Sequence, residues 1–179
     1  MPAWIRAWIA ASVLLCALWG LAQNAPGDAP TKLLDQLAGR WMMSGIIDGK
    51  QTTHDVDAEW VLKREYIRLH EVSREKDASG GAAYEAIVFL SWDAKKGEYS
   101  CLWMDNTNGS ALSSDDPIAH GKPEANAIPL VFMIKGKESL HTTFLYDAQA
   151  DSWRLTIDDV TSGKSERFAD VRLTRVKGR

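Results

Sequence analysis

Cysteine is scarce in this chain: the 179 residues include only two, Cys16 and Cys101. Cys16 sits in an apolar opening run, so its removal with that run would leave Cys101 alone and no internal disulfide to close. Nothing around Cys101 resembles a cysteine-hydrolase signature, and a buried structural thiol is expected there. A positive surplus is also missing, since 21 Lys and Arg stand against 24 Asp and Glu. Lys63, Arg64, Arg68, Arg172 and Arg175 are interleaved with acids. A nucleic-acid partner normally needs a basic face, and an anionic membrane surface a basic cluster; neither partner is expected. The four histidines His54, His70, His120 and His141 form no H-x-H or HExxH pair, so a metal site would have to assemble across strands. There is no G-x-S-x-G elbow and no phosphate-cradling glycine loop. No catalytic residue and no metal site are expected from motifs.

The longest apolar run, Ala7 to Leu18, is shorter than the ~20 residues of a membrane span. Met1 to Arg6 before it carries one positive charge, and Gly20-Leu21-Ala22 after it supplies small residues at a cleavage position. Positive start, apolar middle and small-residue exit predict a signal peptide over 1–22. Residues 23–30, small, polar and proline-containing, predict a linker. The domain is then 31–179, periplasmic or secreted, with no stable membrane span after cleavage. At ~150 residues it hides roughly 70% of its chain surface, enough for a core without staples.

Within the domain, Leu33, Leu34 and Leu37 predict one short helix, with Thr31 as N-cap and Gly39 as stop. After Gly39 the period changes to two. Strands are predicted over 40–48, 53–63, 66–74, 84–92, 99–105, 128–135, 140–147, 152–159 and 167–176, with an edge strand near 118–122. Tight turns such as Asp48-Gly49 separate them. The fold class is therefore all-β: an antiparallel up-and-down sheet of about 8–10 strands that curls shut into a barrel.

The Gly39-Arg40-Trp41 start, placed directly after a short helix, resembles the G-x-W opening of lipocalin and wider calycin barrels. More closely, the chain resembles the bacterial lipocalin-like domain family of unknown function. The matching pieces are Leu37-Ala38-Gly39-Arg40-Trp41, Gly45, Ala58-Glu59-Trp60-Val61-Leu62, Leu90-Ser91-Trp92-Asp93, Trp103-Met104-Asp105 and Val171-Arg172-Leu173-Thr174. They span roughly Leu33 to Val176. The resemblance implies a barrel with Trp41 across its closed end. Haem-binding barrels of this fold carry an axial histidine late in the chain; no histidine follows His141, and no cofactor is expected.

A barrel of ~8 strands is either filled by its side chains or holds one small ligand. The expected function is binding of a small apolar or amphipathic molecule in the interior. Met43, Trp60, Arg68, His70 and Trp103 are the candidate lining residues, with Arg68 an anchor for an anionic head group. One alternative is a small hydrolase or isomerase using Asp57 or Glu59 with His70. Another is a packed interaction module that meets a protein partner through the irregular stretch from Ser110 to Asn126.

Overall fold

The computed structural model describes residues 29–107, 117–161 and 163–177. The predicted signal peptide and most of the predicted linker lie outside the described residues, as does the 108–116 part of the irregular stretch. One helix, α1 (Ala29–Leu37), precedes ten strands: β1 (Gly39–Ile47), β2 (Lys50–Val61), β3 (Tyr66–Ser73), β4 (Glu85–Asp93), β5 (Glu98–Asp105), β6 (Ile118–Gly121), β7 (Ala127–Ile134), β8 (Lys137–Asp147), β9 (Ser152–Thr161) and β10 (Lys164–Arg175). Each strand pairs antiparallel with the next, and β10 returns to β1, so the sheet is a closed barrel. Among the described residues every strand has a neighbour on both sides, so none is an edge strand.

Two expectations change. Thr31 is not the N-cap: α1 already includes Ala29 and Pro30, because proline in a first helical turn lacks only an N–H that has no partner there anyway. The stretch near Ile118 is not an edge strand. Four-residue β6 pairs with β5 on one side and β7 on the other. That seating depends on Gly121, where a Cβ would fall 1.7 Å from the Pro129 carbonyl oxygen.

The strand rhythm follows side-chain chemistry. On β3 the buried residues are Ile67, Leu69, Glu71 and Ser73, while Tyr66, Arg68, His70 and Val72 alternate outward. On β2, His54, Val56 and Ala58 are buried, and Asp55, Asp57 and Glu59 are exposed. Alternate side chains of a strand face opposite sides, so the first of each set lines the interior. The β1–β2 hairpin turns on Asp48 and Gly49 with φ of 48° and 69°, the pair of positive values that a two-residue turn matching strand twist requires.

Helix α1 closes one end. Leu34 and Leu37 are fully buried beside Trp41, Tyr99 and Trp153. The last carbonyls of a helix have no partners of their own, and here the barrel supplies them. Trp41 Nε1 donates to Leu37 O at 2.7 Å, and Trp153 Nε1 to Gln36 O at 3.3 Å. Arg175 donates to Gln36 O at 3.0 Å and Ala38 O at 2.9 Å. Its guanidinium also lies 4.0 Å from the centre of the Trp41 ring and pairs with Asp151. On the far side of the plug, Leu62, Lys63 and Arg64 all have positive φ. This left-handed turn sets Arg64 over the Trp60 ring at 4.7 Å and against Asp35.

Candidate functional site

The interior of the opposite end is different in chemistry. Inward positions there that carry polar groups include His54 on β2, Glu71 on β3, and Trp103 and Asp105 on β5. Tyr84, just ahead of β4, joins them. The β2–β3–β4–β5 register places Val56, Glu71, Ala86 and Asp105 in one row across the wall, so the small Ala86 separates two carboxylates. His54 and Glu71 are 4% and 5% exposed, and His54 Nδ1 bonds to Glu71 Oε1. The Tyr84 ring stacks on the His54 ring at 5.6 Å, and Trp103 Nε1 donates to the Tyr84 hydroxyl at 2.9 Å. Ile47, Trp103, Leu140 and Ile157 complete the wall as partly buried apolar groups against the core.

The second nitrogen of His54 meets Thr52 Oγ1 at 2.7 Å. The order Glu71, His54, Thr52 is that of a nucleophilic triad, in which the imidazole takes the hydroxyl proton. Here the hydroxyl donates to Glu75 Oε2 at 3.0 Å. A hydroxyl has one proton, so the bond to His54 assigns the hydrogen to Nε2, which donates to Thr52. Desolvation pushes the Glu75 carboxyl up, but its own and Thr53's backbone N–H groups, the Thr52 hydroxyl and nearby His54 outweigh this and hold it below its ordinary value. Glu75 is therefore an acceptor, and His54 is not placed to activate Thr52. Burial, with Glu71 and Asp105 nearby, raises the Tyr84 phenol despite the Trp103 bond; Tyr84 is a neutral hydroxyl at physiological pH.

The Glu71 side chain keeps 6% of its surface open, and the buried side-chain atom left without a hydrogen-bond partner among the described residues is Arg68 Nε. Asp105 uses Oδ1 for the Thr107 N–H and hydroxyl. Among the described residues no group of three or more His, Cys, Asp and Glu side chains could hold a metal ion. One groove of about 420 Å³ lies beside Tyr146 and Arg172, and another of about 560 Å³ lies at the tips of the β1–β2 and β9–β10 hairpins, beside Asp48, Asp159, Lys164 and Phe168.

The expected lining residues divide three ways. Met43 is buried inside, 1% exposed, and pairs in register with His54; Trp103 belongs to the polar cluster itself. Trp60 stands in inward register but at the helix end, where its Nε1 donates to Asp35 at 2.9 Å; it supports the plug. Arg68 and His70 are corrected. They alternate with buried Ile67, Leu69 and Glu71 and so face outward, Arg68 bonded to Glu59 at 2.5 Å and His70 to Glu85 at 2.7 Å. Asp57, Glu59 and His70 therefore share the outer surface, and the acid–base pair expected from them inside the barrel does not exist. Arg68 cannot anchor an interior ligand for the same reason.

His54, Glu71 and Tyr84 were not among the expected site residues. The signal was present: His54 lies on the Val56–Ala58 face, and Glu71 on the Ile67–Leu69 face. A titratable residue in an otherwise apolar alternation is the mark to follow. Cys101, by contrast, is fully buried, and desolvation pushes its thiol up, which removes the thiolate that reactivity needs. No known protein family model matches the chain, and no curated protein matches it.

Proposed function

We propose that this chain is an exported, lipocalin-like barrel that binds a small apolar or amphipathic molecule through the end opposite α1. The G-x-W opening after a short helix, followed by a closed ten-strand barrel, supports kinship with that family. The apolar run and small-residue exit at the start of the chain support delivery to the periplasm or beyond. The observation that carries the binding reading is the buried His54–Glu71 pair with Tyr84 and Trp103 in an apolar wall. Replacing a buried ion pair by apolar side chains is often neutral or stabilising by about 1–4 kcal/mol. A barrel needing only a core would gain nothing from this pair. A ligand site needs a few placed polar groups in an apolar lining.

The test is native mass spectrometry of the purified mature chain, with solvent extraction, followed by titration with an environment-sensitive apolar fluorophore. A bound mass that extraction removes, or a saturable one-site titration weakened by Trp103→Ala, supports binding. A bare mass together with no saturable titration contradicts it.

A further inference from the structure

On the outer wall of the barrel, one arginine differs from the others in what it holds. We propose that Arg172, in the groove beside the β8–β9 turn, binds the carboxylate of a small monoanion that carries an apolar body. The groove is outside the barrel and toward the helix end, so this site is independent of the interior one. Arg74, Arg154, Arg167 and Arg175 each clasp both oxygens of one aspartate through Nε and Nη2, at 2.5 to 3.3 Å. That edge of the guanidinium matches the two oxygens of a carboxylate. Arg172 is tied differently. Its Nη1 donates to Ser152 Oγ at 2.8 Å, on a serine that is 3% exposed. Its Nε–Nη2 edge meets no acceptor among the described residues.

Register explains why no acid of this wall serves it. Leu145 on β8, Arg154 on β9 and Arg172 on β10 lie in one row, so two arginines stand directly opposite each other, a destabilising placement. Asp170, the outward acid two positions before Arg172, gives both its oxygens to Arg154 and lies 3.6 Å from Arg167 as well. Asp158 is bonded to Arg167. Arg172 is left beside a like charge, held from beneath by Ser152, at the wall of a groove of about 420 Å³. Small-ligand sites run from about 300 to 1,000 Å³. An incoming carboxylate supplies the missing charge. The lining then chooses among anions. Asp147 is on the rim, its Oδ1 accepting from the Gln149 and Ala150 N–H groups. Arg172 balances one negative charge, and the Asp147 carboxylate penalises a second. Leu145, 40% exposed, and Tyr146 line the same groove and give an apolar body a place to lie.

The experiment follows arginine Nε–H resonances of the isotope-labelled mature chain at neutral pH and fixed ionic strength. Arg172→Lys identifies the Arg172 signal by its loss. 4-Phenylbutyrate is expected to move that signal saturably, and 4-phenylbutanol, with the body but no charge, to leave it in place. Acetate lacks the apolar body and inorganic phosphate carries a second charge; each should need at least about tenfold more to move it. In Arg172→Gln, followed through the backbone amides of Ala148 and Gln149, phenylbutyrate should bind at least about tenfold more weakly, the scale of one charge-assisted bond. Arg172→Lys keeps the charge but loses the fork and should recover only part of that loss. Circular dichroism checks that each variant is folded. An Arg172 signal that phenylbutyrate leaves unmoved in the parent overturns the site, whatever the variants do. An equal response to phosphate overturns the carboxylate assignment, and an equal response to acetate overturns the apolar body. A ligand held inside the barrel does not touch Arg172, so these outcomes are distinct from those of the interior test.

Discussion

The two ends of this barrel use the same residue types for different purposes. At the helix end, ring N–H groups and a guanidinium are spent on the chain itself: Trp41, Trp153 and Arg175 satisfy carbonyls from Gln36 to Ala38. At the other end, Trp103 donates to Tyr84 and His54 bonds to Glu71, side chain to side chain. A polar group in the interior is thus not one kind of feature. Where every donor meets a backbone acceptor, it fixes architecture. Where side chains bond one another in an apolar wall, it leaves the backbone unsupported and is not explained by architecture.

The largest effect that probes this contrast compares two tryptophans. Trp41 is 1% exposed, and Trp41→Ala should cost about 3–5 kcal/mol of unfolding free energy, the usual range for a buried large-to-small change. Trp103 is half-buried, and Trp103→Ala should cost about 1–2 kcal/mol while sharply weakening fluorophore binding. Urea unfolding of both variants decides this; equal losses would erase the distinction between plug and site.

Acid separates the ends more finely. Asp151 at the helix end is held below its ordinary 3.8, first by the Arg175 bond and against desolvation, and Glu75 at the other end is held below 4.5. A carboxyl with a depressed folded value stabilises the fold above its unfolded value and loses that contribution as pH falls through the folded one. The stability difference between parent and Glu75→Gln should therefore begin to shrink near pH 4.5, and that for Asp151→Asn nearer pH 3.8. Both groups are well exposed, so each difference should stay below about 1 kcal/mol. Urea midpoints taken across pH 3 to 6 (approximate limits set by ordinary carboxylate titration) measure it, and coincident onsets would break the comparison.

Much of the wall was legible from period alone. A two-residue alternation over short segments, punctuated by turns such as Asp48-Gly49, leads directly to antiparallel hairpins, and their number leads to closure. Gly39-Arg40-Trp41 marked the plug. The face of β3 was the informative failure. Ile67 and Leu69 identify the interior side by hydrophobicity, whereas Arg68 and His70 suit a ligand by their chemistry but stand on the other face. Burial energy outweighs such suitability, since moving Arg68 inside would strand a charge and expose two large apolar residues. The bonding of His54 to Glu71 and of Thr52 to Glu75 depends on cross-strand register and loop return, which local pattern does not determine. The left-handed turn at Leu62 to Arg64 had no sequence signal, because no glycine or asparagine marks it.

Ligand binding at the open end requires that the His54–Glu71 pair serve something other than folding. The double substitution His54→Leu with Glu71→Leu removes both partners and leaves no lone buried charge, so its unfolding free energy in urea measures the claim directly. An unchanged or higher value, within about 1 kcal/mol below the parent, is predicted from the usual balance of buried pairs against apolar replacements. A loss of about 3 kcal/mol or more would mean that the pair holds the barrel together, and would contradict it.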